Sequence, residues 1–464
     1  MEEVKLRGNQ YFKEEKYQSA LDAYIEAMKM NPSDYTLYSN SAACCLKLNK
    51  NEEAVEYAGE CIRLAPHFSK GYFRKGMAYK NLGMHQEAIF DFKKSLETTP
   101  GDQLVLDQLA ECEKHIRLLK FSAAIRVNNF DLKAEKINGI EVDSIYEGPK
   151  YDIDQKLTIK EINGIISFYG NEKKLHKKYL YKVMLDAKSA IEKEENIHKV
   201  KVPKEGFLTI CGDVHGQFFD VCKIFEINGL PSEKHYYIFN GDFVDRGAHS
   251  IEVISTLLHL KAAFPEYIFL TRGNHESPSV NRTNSFYTEC ISKYGNETYD
   301  MFSKVFNCLP IGFIVQDSFF VVHGGIPSAK ITIEKLNALD RFKVPENGSL
   351  ISQILWSDPG DQPGLKESPR GEGVLFGADI TECFLKLNNL QKVIRSHVWE
   401  CEGYKETHNG KCITIFSAPN YTGVPSPAAF IKINSHLELS FQQFEAAAYQ
   451  GRAEKPKPSI PQYF

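Results

Sequence analysis

The chain has 464 residues, 42% hydrophobic and 25% charged, with a formal net charge of −4. That length exceeds one compact core and supports two or three domains. The near-balanced charge excludes a strong bulk attraction to nucleic acid or an acidic membrane, and the longest apolar stretch, residues 309–325, is interrupted by Asp317 and His323 and cannot span a bilayer.

From the N-terminus, MEEVKLRGNQ is acidic and polar and is not read as a secretory signal. The first hundred residues then repeat. Pro32, Pro66 and Pro100 are spaced by 34, as are Gly8, Ala42 and Gly76, and Ala20, Ala54 and Ala88. A 34-residue period with small residues at fixed places predicts three tetratricopeptide repeats, each a pair of antiparallel helices. Gly8 and Ala20 would sit where paired helices approach closely, and Pro32 would stop the second helix. Apolar residues at helical spacing over 103–120 predict a capping helix. The eleven cysteines are dispersed, with no Cys-x-x-Cys pair, as expected of reduced thiols in an intracellular protein. Cys44, Cys45 and Cys61 are expected as small core residues.

Residues 121–180 carry turn formers and little periodicity at first and are read as a linker, with helical spacing returning near Thr158. A catalytic domain is expected over 181–449. Its strands and helices alternate: FLTIC, HYYIFN and YIFLT as strands, with amphipathic stretches GQFFDVCKIFEING and SIEVISTLLHLKAAF between them. Successive βαβ units imply an α/β layered domain. Later strands are SFFVVH, KVIRS and CITIFS. Residues 450–464 are Pro-rich and read as a loose tail.

Each strand ends in a polar cluster. FLTIC leads to Asp213 and His215, HYYIFN to Asp242, Asp245 and Arg246, and YIFLT to Arg272, Asn274, His275 and Glu276. SFFVVH leads to His323, and KVIRS to Arg395 and His397. In α/β sheets, sites form where loops leave the carboxyl ends of strands. Any one such residue is more often structural; five strand ends furnished alike point to a site. Carboxylate and imidazole ligands without thiolates suit divalent ions of the Mn, Fe or Zn type. One Asp can bridge two of them, as in two-metal phosphatases.

GDVHG, GDFVDRG and RGNHE in this order, with LWSDP (Leu355–Pro359), Arg370-Gly371, IRSH and FSAPNY (Phe416–Tyr421), resemble the serine/threonine phosphoprotein phosphatases, in the form that carries tetratricopeptide repeats in front. The resemblance runs from Val4 to about Phe444. It implies an α+β multidomain chain: an all-α repeat domain (1–120), then an α/β two-metal phosphoesterase domain, a β-sandwich flanked by helices. It further implies phosphoserine and phosphothreonine hydrolysis in phosphoprotein substrates. Two divalent ions (Mn2+, or Fe and Zn natively) would be held by Asp213, His215, Asp242, Asn274, His323 and His397, with Asp242 bridging. Arg246, Asn274, Arg370 and Tyr421 would receive the phosphate. His275, oriented by Asp245, would protonate the leaving oxygen. A catalytically dead scaffold is the rival reading, against which the complete set argues. A nucleotide or nucleic-acid phosphoesterase is another, but such an enzyme would not be expected to carry LWSDP and SAPNY.

In the repeats, Lys5, Asn9, Asn40, Lys70 and Arg74 match the carboxylate clamp of chaperone-binding tetratricopeptide domains. That implies 90-kDa and 70-kDa heat-shock chaperones as partners, through a C-terminal Glu-Glu-Val-Asp peptide, and a cytoplasmic location with the nucleus as a second compartment. Residues 1–102 hold 14 basic and 15 acidic side chains, so a cationic groove would be a local arrangement. The family also uses its repeats as a lid on the active site, released by a chaperone or fatty acid. Here Asn49 stands where an acidic residue is expected, although Glu52 and Glu53 are nearby, and the Pro-rich segment replaces a docking helix. A weak lid is therefore expected. After Tyr421 the family continues Cys-Asp; this chain has TGVPSPAAF, which alters the loop over the site.

Overall fold

The computed structural model describes residues 2–82, 84–126 and 137–448. They form two units: a helical one from residues up to Ile125, and an α/β one from nearly everything after it. Among the described residues no helix is long and apolar enough to cross a membrane.

The helical unit is three helix pairs and one long helix: α1 (Glu2–Lys13) with α2 (Tyr17–Met30), α3 (Tyr35–Lys47) with α4 (Asn51–Leu64), α5 (Ser69–Asn81) with α6 (His85–Thr98), then α7 (Gln103–Arg126). The 34-residue spacing has a direct packing cause. A Cβ on Gly8 would lie 2.7 Å from Tyr24 Cε1, and one on Gly76 2.7 Å from Phe92 Cε1, so the aromatic ring of each second helix is seated against the first. Ala20, Ala54 and Ala88 are fully buried on the facing side, as are Cys44, Cys45 and Cys61. The turns repeat too: the Tyr38 hydroxyl donates to Pro32 O and the Tyr72 hydroxyl to Pro66 O, both at 3.0 Å. Helix α7 continues beyond residue 120, to Arg126.

The α/β unit stacks two sheets. One has the order β1 (Ile197–Val200), β5 (Gly312–Val315), β6 (Phe319–Val322), β10 (Lys392–Arg395), β12 (Cys412–Ile415), β11 (Tyr404–Thr407). The other runs β14 (Leu439–Phe444), β13 (Ala428–Asn434), β2 (Phe207–Cys211), β3 (His235–Phe239), β4 (Ile268–Leu270). Side chains alternate along each strand, as the pleat requires. Leu208, Ile210, Ile238 and Phe269 meet Phe313, Val321, Ile394 and Ile413 in the core between the sheets. Tyr237, Phe239 and Leu270 point the other way, onto helices. A small third sheet joins β7 (Asp358–Pro359), β9 (Val374–Phe376) and β8 (Leu365–Glu367). The expected βαβ run is present: β2, β3 and β4 are parallel, linked by α10 (Phe218–Asn228) and α11 (Ser250–Ala263).

The segment 137–180, expected within a linker, is built into this unit. It contains α8 (Ile159–Gly170), started by a capping box of Thr158 and Glu161, and the beginning of α9 (Lys177–Ile191). Ile137, Ile162, Ile165 and Tyr169 are buried in the same core as Phe218 and Leu257. Residues 127–136 and 449–464, including the Pro-rich tail, lie outside the described residues.

Candidate metal centre and active site

Strands from both sheets end at one rim. Loops after β2, β3 and β4 bring Asp213, His215, Asp242, Asp245, Asn274 and His275; loops after β6 and β10 bring His323 and His397. Hydrogen bonds lock the two sheets together there. Asn240 Nδ2 donates to Val322 O and Ser396 Oγ, both at 2.8 Å, and the His397 N–H donates to Asp213 Oδ1 at 3.0 Å. The turns are sharp: His215, Asp242, Asp245, Arg246 and His397 have φ values of 37°, 53°, 70°, 67° and 71°. Non-glycine residues rarely adopt that left-handed region, and strain of this kind concentrates at functional sites. Gly273 is required by close approach, since a Cβ there would lie 2.3 Å from Asp242 Oδ1.

The side chains converge as electron-pair donors. His215 Nδ1 donates to Val244 O at 2.9 Å and His323 Nδ1 to Asn240 O at 2.8 Å, which fixes the protons there and turns both Nε2 atoms inward. Asp242 Oδ2 stands between them, 3.5 Å from His215 Nε2 and 3.4 Å from His323 Nε2. Two groups of potential ligand atoms share that carboxylate: His215, Asp242 and His275 on one side, Asp242, His323 and His397 on the other. Asp213 Oδ2 is 3.8 Å from His215 Nε2. The Asn274 amide oxygen is 2.9 Å from His323 Nε2 and 3.1 Å from both His397 Nδ1 and Asp242 Oδ2. In this orientation the oxygen can accept from a protonated His323 Nε2 or face a cation, and a half-turn of the amide would place its NH2 there instead.

The electrostatics agree. Burial drops His215 to about 3, and burial followed by Arg370 holds His397 well below the usual imidazole range, so both are neutral, as ligands must be. Burial opposes charge on His323, but the Asp242 and Asp213 carboxylates together raise that ring to about 9, so they favour positive charge at a position that a proton or a cation can fill. Oxygen and imidazole donors without thiolate fit divalent ions of the Mn, Fe or Zn type.

His275 sits with Asp245 beside this cluster. Its Nδ1 is 2.7 Å from Asp245 Oδ2, and its Nε2 is 3.9 Å from Asp242 Oδ2. Asp245 is fully buried, and its other oxygen accepts from the Phe286 N–H at 2.7 Å. Burial disfavours a charged His275, but Asp242 and the Asp245 hydrogen bond raise its pKa overall. Tyr421 stacks on His215, ring centroids 5.2 Å apart. Arg370 is partly exposed and held by Asp358, Nε to Oδ2 2.6 Å.

Two supporting carboxylates are assigned no role from the sequence: Glu276, named only within its strand-end cluster, and Asp358, inside LWSDP. Glu276 accepts from the N–H groups of Asp242, Phe243 and Gly273 at 2.8, 2.9 and 2.9 Å, so it shapes the loop that carries the shared carboxylate. Asp358 divides its oxygens between Arg370 and the buried Arg395. Their signal was adjacency to GNH and WS. Arg272, at a strand end like the others, turns away and donates to Asn307 Oδ1 and Lys343 O.

In the helical unit, Asn9, Asn40 and Arg74 line one groove of about 570 Å³ together with Leu6, Lys13 and Tyr24. Asn9 Oδ1 accepts from the Tyr24 hydroxyl at 2.8 Å, and Arg74 Nη1 donates to Ser39 Oγ. Lys70 is exposed, one helical turn before Arg74 on α5. Lys5 is paired with Asp34. Asn49 follows α3 with φ 57°, the left-handed position that Asn tolerates better than most residues.

Residues 208–401 match the calcineurin-like phosphoesterase family, 109–199 the PPP5 TPR repeat region, and 35–68 and 69–102 the tetratricopeptide repeat. The chain is 36% identical over 456 residues to serine/threonine-protein phosphatase 5 of Homo sapiens, covering 97% of this chain and 91% of the relative. It is 37% identical over 456 residues to serine/threonine-protein phosphatase T of Trypanosoma brucei brucei, covering 97% and 96%. A solved protein serine/threonine phosphatase from Saccharomyces cerevisiae, described as similar to human phosphatase PP5, superposes with a TM-score of 0.62 at 33% identity. It covers 65% of this chain and 99% of that one.

Proposed function

The chain belongs to the serine/threonine-protein phosphatase 5 family and is a protein serine/threonine phosphatase, and on that premise we propose that it hydrolyses phosphoserine and phosphothreonine with two divalent ions as cofactors. The observation that carries the proposal is the Asp242 carboxylate shared between two groups of inward-facing ligand atoms. Asp213, His215, Asp242, Asn274, His323 and His397 would hold the ions, manganese or natively iron and zinc. Bound there, such ions supply Lewis acidity and lower the pKa of a coordinated water toward neutrality.

The chain's own groups do the rest. Arg246 and Arg370 are suited to phosphate oxygens, because a guanidinium offers forked, charge-assisted hydrogen bonds. Asp358 orients Arg370, and Tyr421 walls the site against His215. His275 carries the proton that the departing serine or threonine oxygen needs, and Asp245 keeps Nδ1 protonated and stabilises the imidazolium. Turnover of a phosphoserine peptide by the full chain in added manganese tests this reading. Activity should vanish with chelator and return with metal. Cleavage of nucleotide phosphodiesters in place of phosphopeptides would overturn it.

The repeats, on the same proposal, dock the C-terminal Glu-Glu-Val-Asp tail of 90-kDa and 70-kDa chaperones in the cytoplasm and nucleus. The support is that Asn9, Asn40 and Arg74 open on one groove. Lidding of the catalytic site by the repeats would be weak, because Asn49 offers no carboxylate.

A further inference from the structure

Four of the five clamp side chains are not engaged by a carboxylate; Lys5 is. Its Nζ donates to Asp34 Oδ2 at 2.7 Å. The pair is mostly shielded from water, with side-chain exposures of 20% for Lys5 and 15% for Asp34. Asp34 cannot swing away cheaply. It is the N-cap of α3, and its Oδ1 accepts from the Thr36 N–H at 3.0 Å and the Thr36 hydroxyl at 2.6 Å. Losing such a cap destabilises the start of the helix. The result is a fixed negative charge on the first cation of a site for anions. Asn9, Asn40 and Arg74 line the groove; Lys5 and Lys70 lie outside its lining.

We propose that Asp34 is an internal competitor for the ligand carboxylate, occupying Lys5 so that an incoming peptide C-terminus must share or displace it. The proposal rests on the clamp reading above and deepens it. Two effects act in the same direction. The ligand loses part of a cation, and its own carboxylate is brought near another in a half-shielded setting where screening is incomplete. Departure of the ligand returns Lys5 to a waiting partner, so the device favours release. The opposite role is also physically defined: Asp34 could instead hold Lys5 extended for the ligand, and its removal would then weaken binding.

The test uses the full chain and a fluorescent peptide ending in Glu-Glu-Val-Asp with a natural C-terminus, titrated by anisotropy. Asp34→Asn removes the charge and keeps a good N-cap, and Asp34→Ser is a second capping variant should the first fold poorly. Either should bind the peptide about threefold to tenfold more tightly than wild type. In the Lys5→Ala background the part of the gain that comes from freeing Lys5 should disappear, leaving only the part that comes from relieving repulsion between Asp34 and the ligand carboxylate. Equal or weaker binding by both Asp34 variants, with wild-type binding still abolished by Lys70→Ala, would overturn the competitor and leave the clamp standing. Absence of peptide binding in wild type and both Asp34 variants would overturn the clamp and the competitor together.

Discussion

Replacing His275 with Ala should cost at least about a hundredfold in turnover of phosphoserine peptides while leaving the metal content intact. The variant keeps the backbone N–H that donates to Asp242 Oδ1 at 2.9 Å. The deleted Nε2 stood 3.9 Å from Asp242 Oδ2, beyond hydrogen-bond reach, so the shared carboxylate keeps its support. What disappears is a buried proton donor whose Nδ1 lies 2.7 Å from Asp245. A positioned general acid contributes about a hundred- to ten-thousandfold. The lower bound corresponds to about 2.7 kcal/mol of transition-state stabilisation. Serine is a poor leaving group and needs the proton; nitrophenolate does not. On nitrophenyl phosphate the same variant should therefore lose less than about tenfold. Asp245→Asn preserves shape but removes the charge facing the imidazolium; a charge-assisted hydrogen bond is worth about 1.5–3 kcal/mol, so an intermediate loss of about ten- to a hundredfold is expected. Steady-state kinetics on both substrates, with metal analysis of each protein, decide the matter. Equal losses on the two substrates would remove His275 from the acid role. Loss of metal would move it into the ligand set, where its position in the first group of donor atoms would then have to place it.

Lys70→Ala should abolish Glu-Glu-Val-Asp peptide binding without changing the fold, because Lys70 is exposed on α5; an unchanged dissociation constant by anisotropy would remove it from the clamp. Deleting residues 1–120 should raise phosphopeptide turnover by less than about tenfold, since a lid without an acidic contact shifts the closed population little; a rise of a hundredfold or more would show a strong lid that Asn49 does not weaken. Asp91, almost fully buried, is raised from 3.8 to about 7 by burial, which Lys75 opposes. Between those values the folded chain binds more protons than the unfolded one, so this group lowers stability as pH rises through that window. Asp91→Asn should therefore raise the melting temperature of the repeat domain relative to wild type near pH 8 and not near pH 4. An equal shift at both would contradict the assignment.

Much of the candidate site was legible because the residues that converge on it sit next to strand ends and glycines. GDVHG, GDFVDRG and RGNHE each follow an apolar strand, and in the structure Asp213 lies 3.8 Å from His215, while His215, Asn274 and His275 lie 3.5, 3.1 and 3.9 Å from Asp242. The repeats were legible for a packing reason: Tyr24 and Phe92 leave no space for a Cβ at Gly8 and Gly76, so the period is written in small residues. Other features depended on contacts that no local pattern records. Strand β13 joins the sheet antiparallel to β2 across more than two hundred residues of sequence, and β1 enters beside β5; short strands paired at such separation carry little periodic signal. Residues 137–157 look like a linker because their turn formers dominate, yet Ile137 is fully buried against the catalytic unit. Arg272 shared the strand-end signature of the site but reaches away from it, because the direction of a side chain depends on the loop it meets. The Lys5–Asp34 pair joins two helices at a separation of 29 residues, and only the folded repeat brings it onto the clamp.

The central claim is that one carboxylate serves two ions, and the metal content of Asp242→Ala tests it most directly. The wild-type chain and the variant would be purified alike, loaded with manganese and measured by elemental analysis alongside Arg370→Ala. Asp242 Oδ2 lies 3.5 and 3.4 Å from imidazole nitrogens of the two ligand groups. Its removal should therefore deplete both ions and abolish phosphopeptide turnover, whereas Arg370→Ala should retain both ions and lose only substrate affinity and rate. An Asp242→Ala protein that still holds two ions per chain would contradict the account.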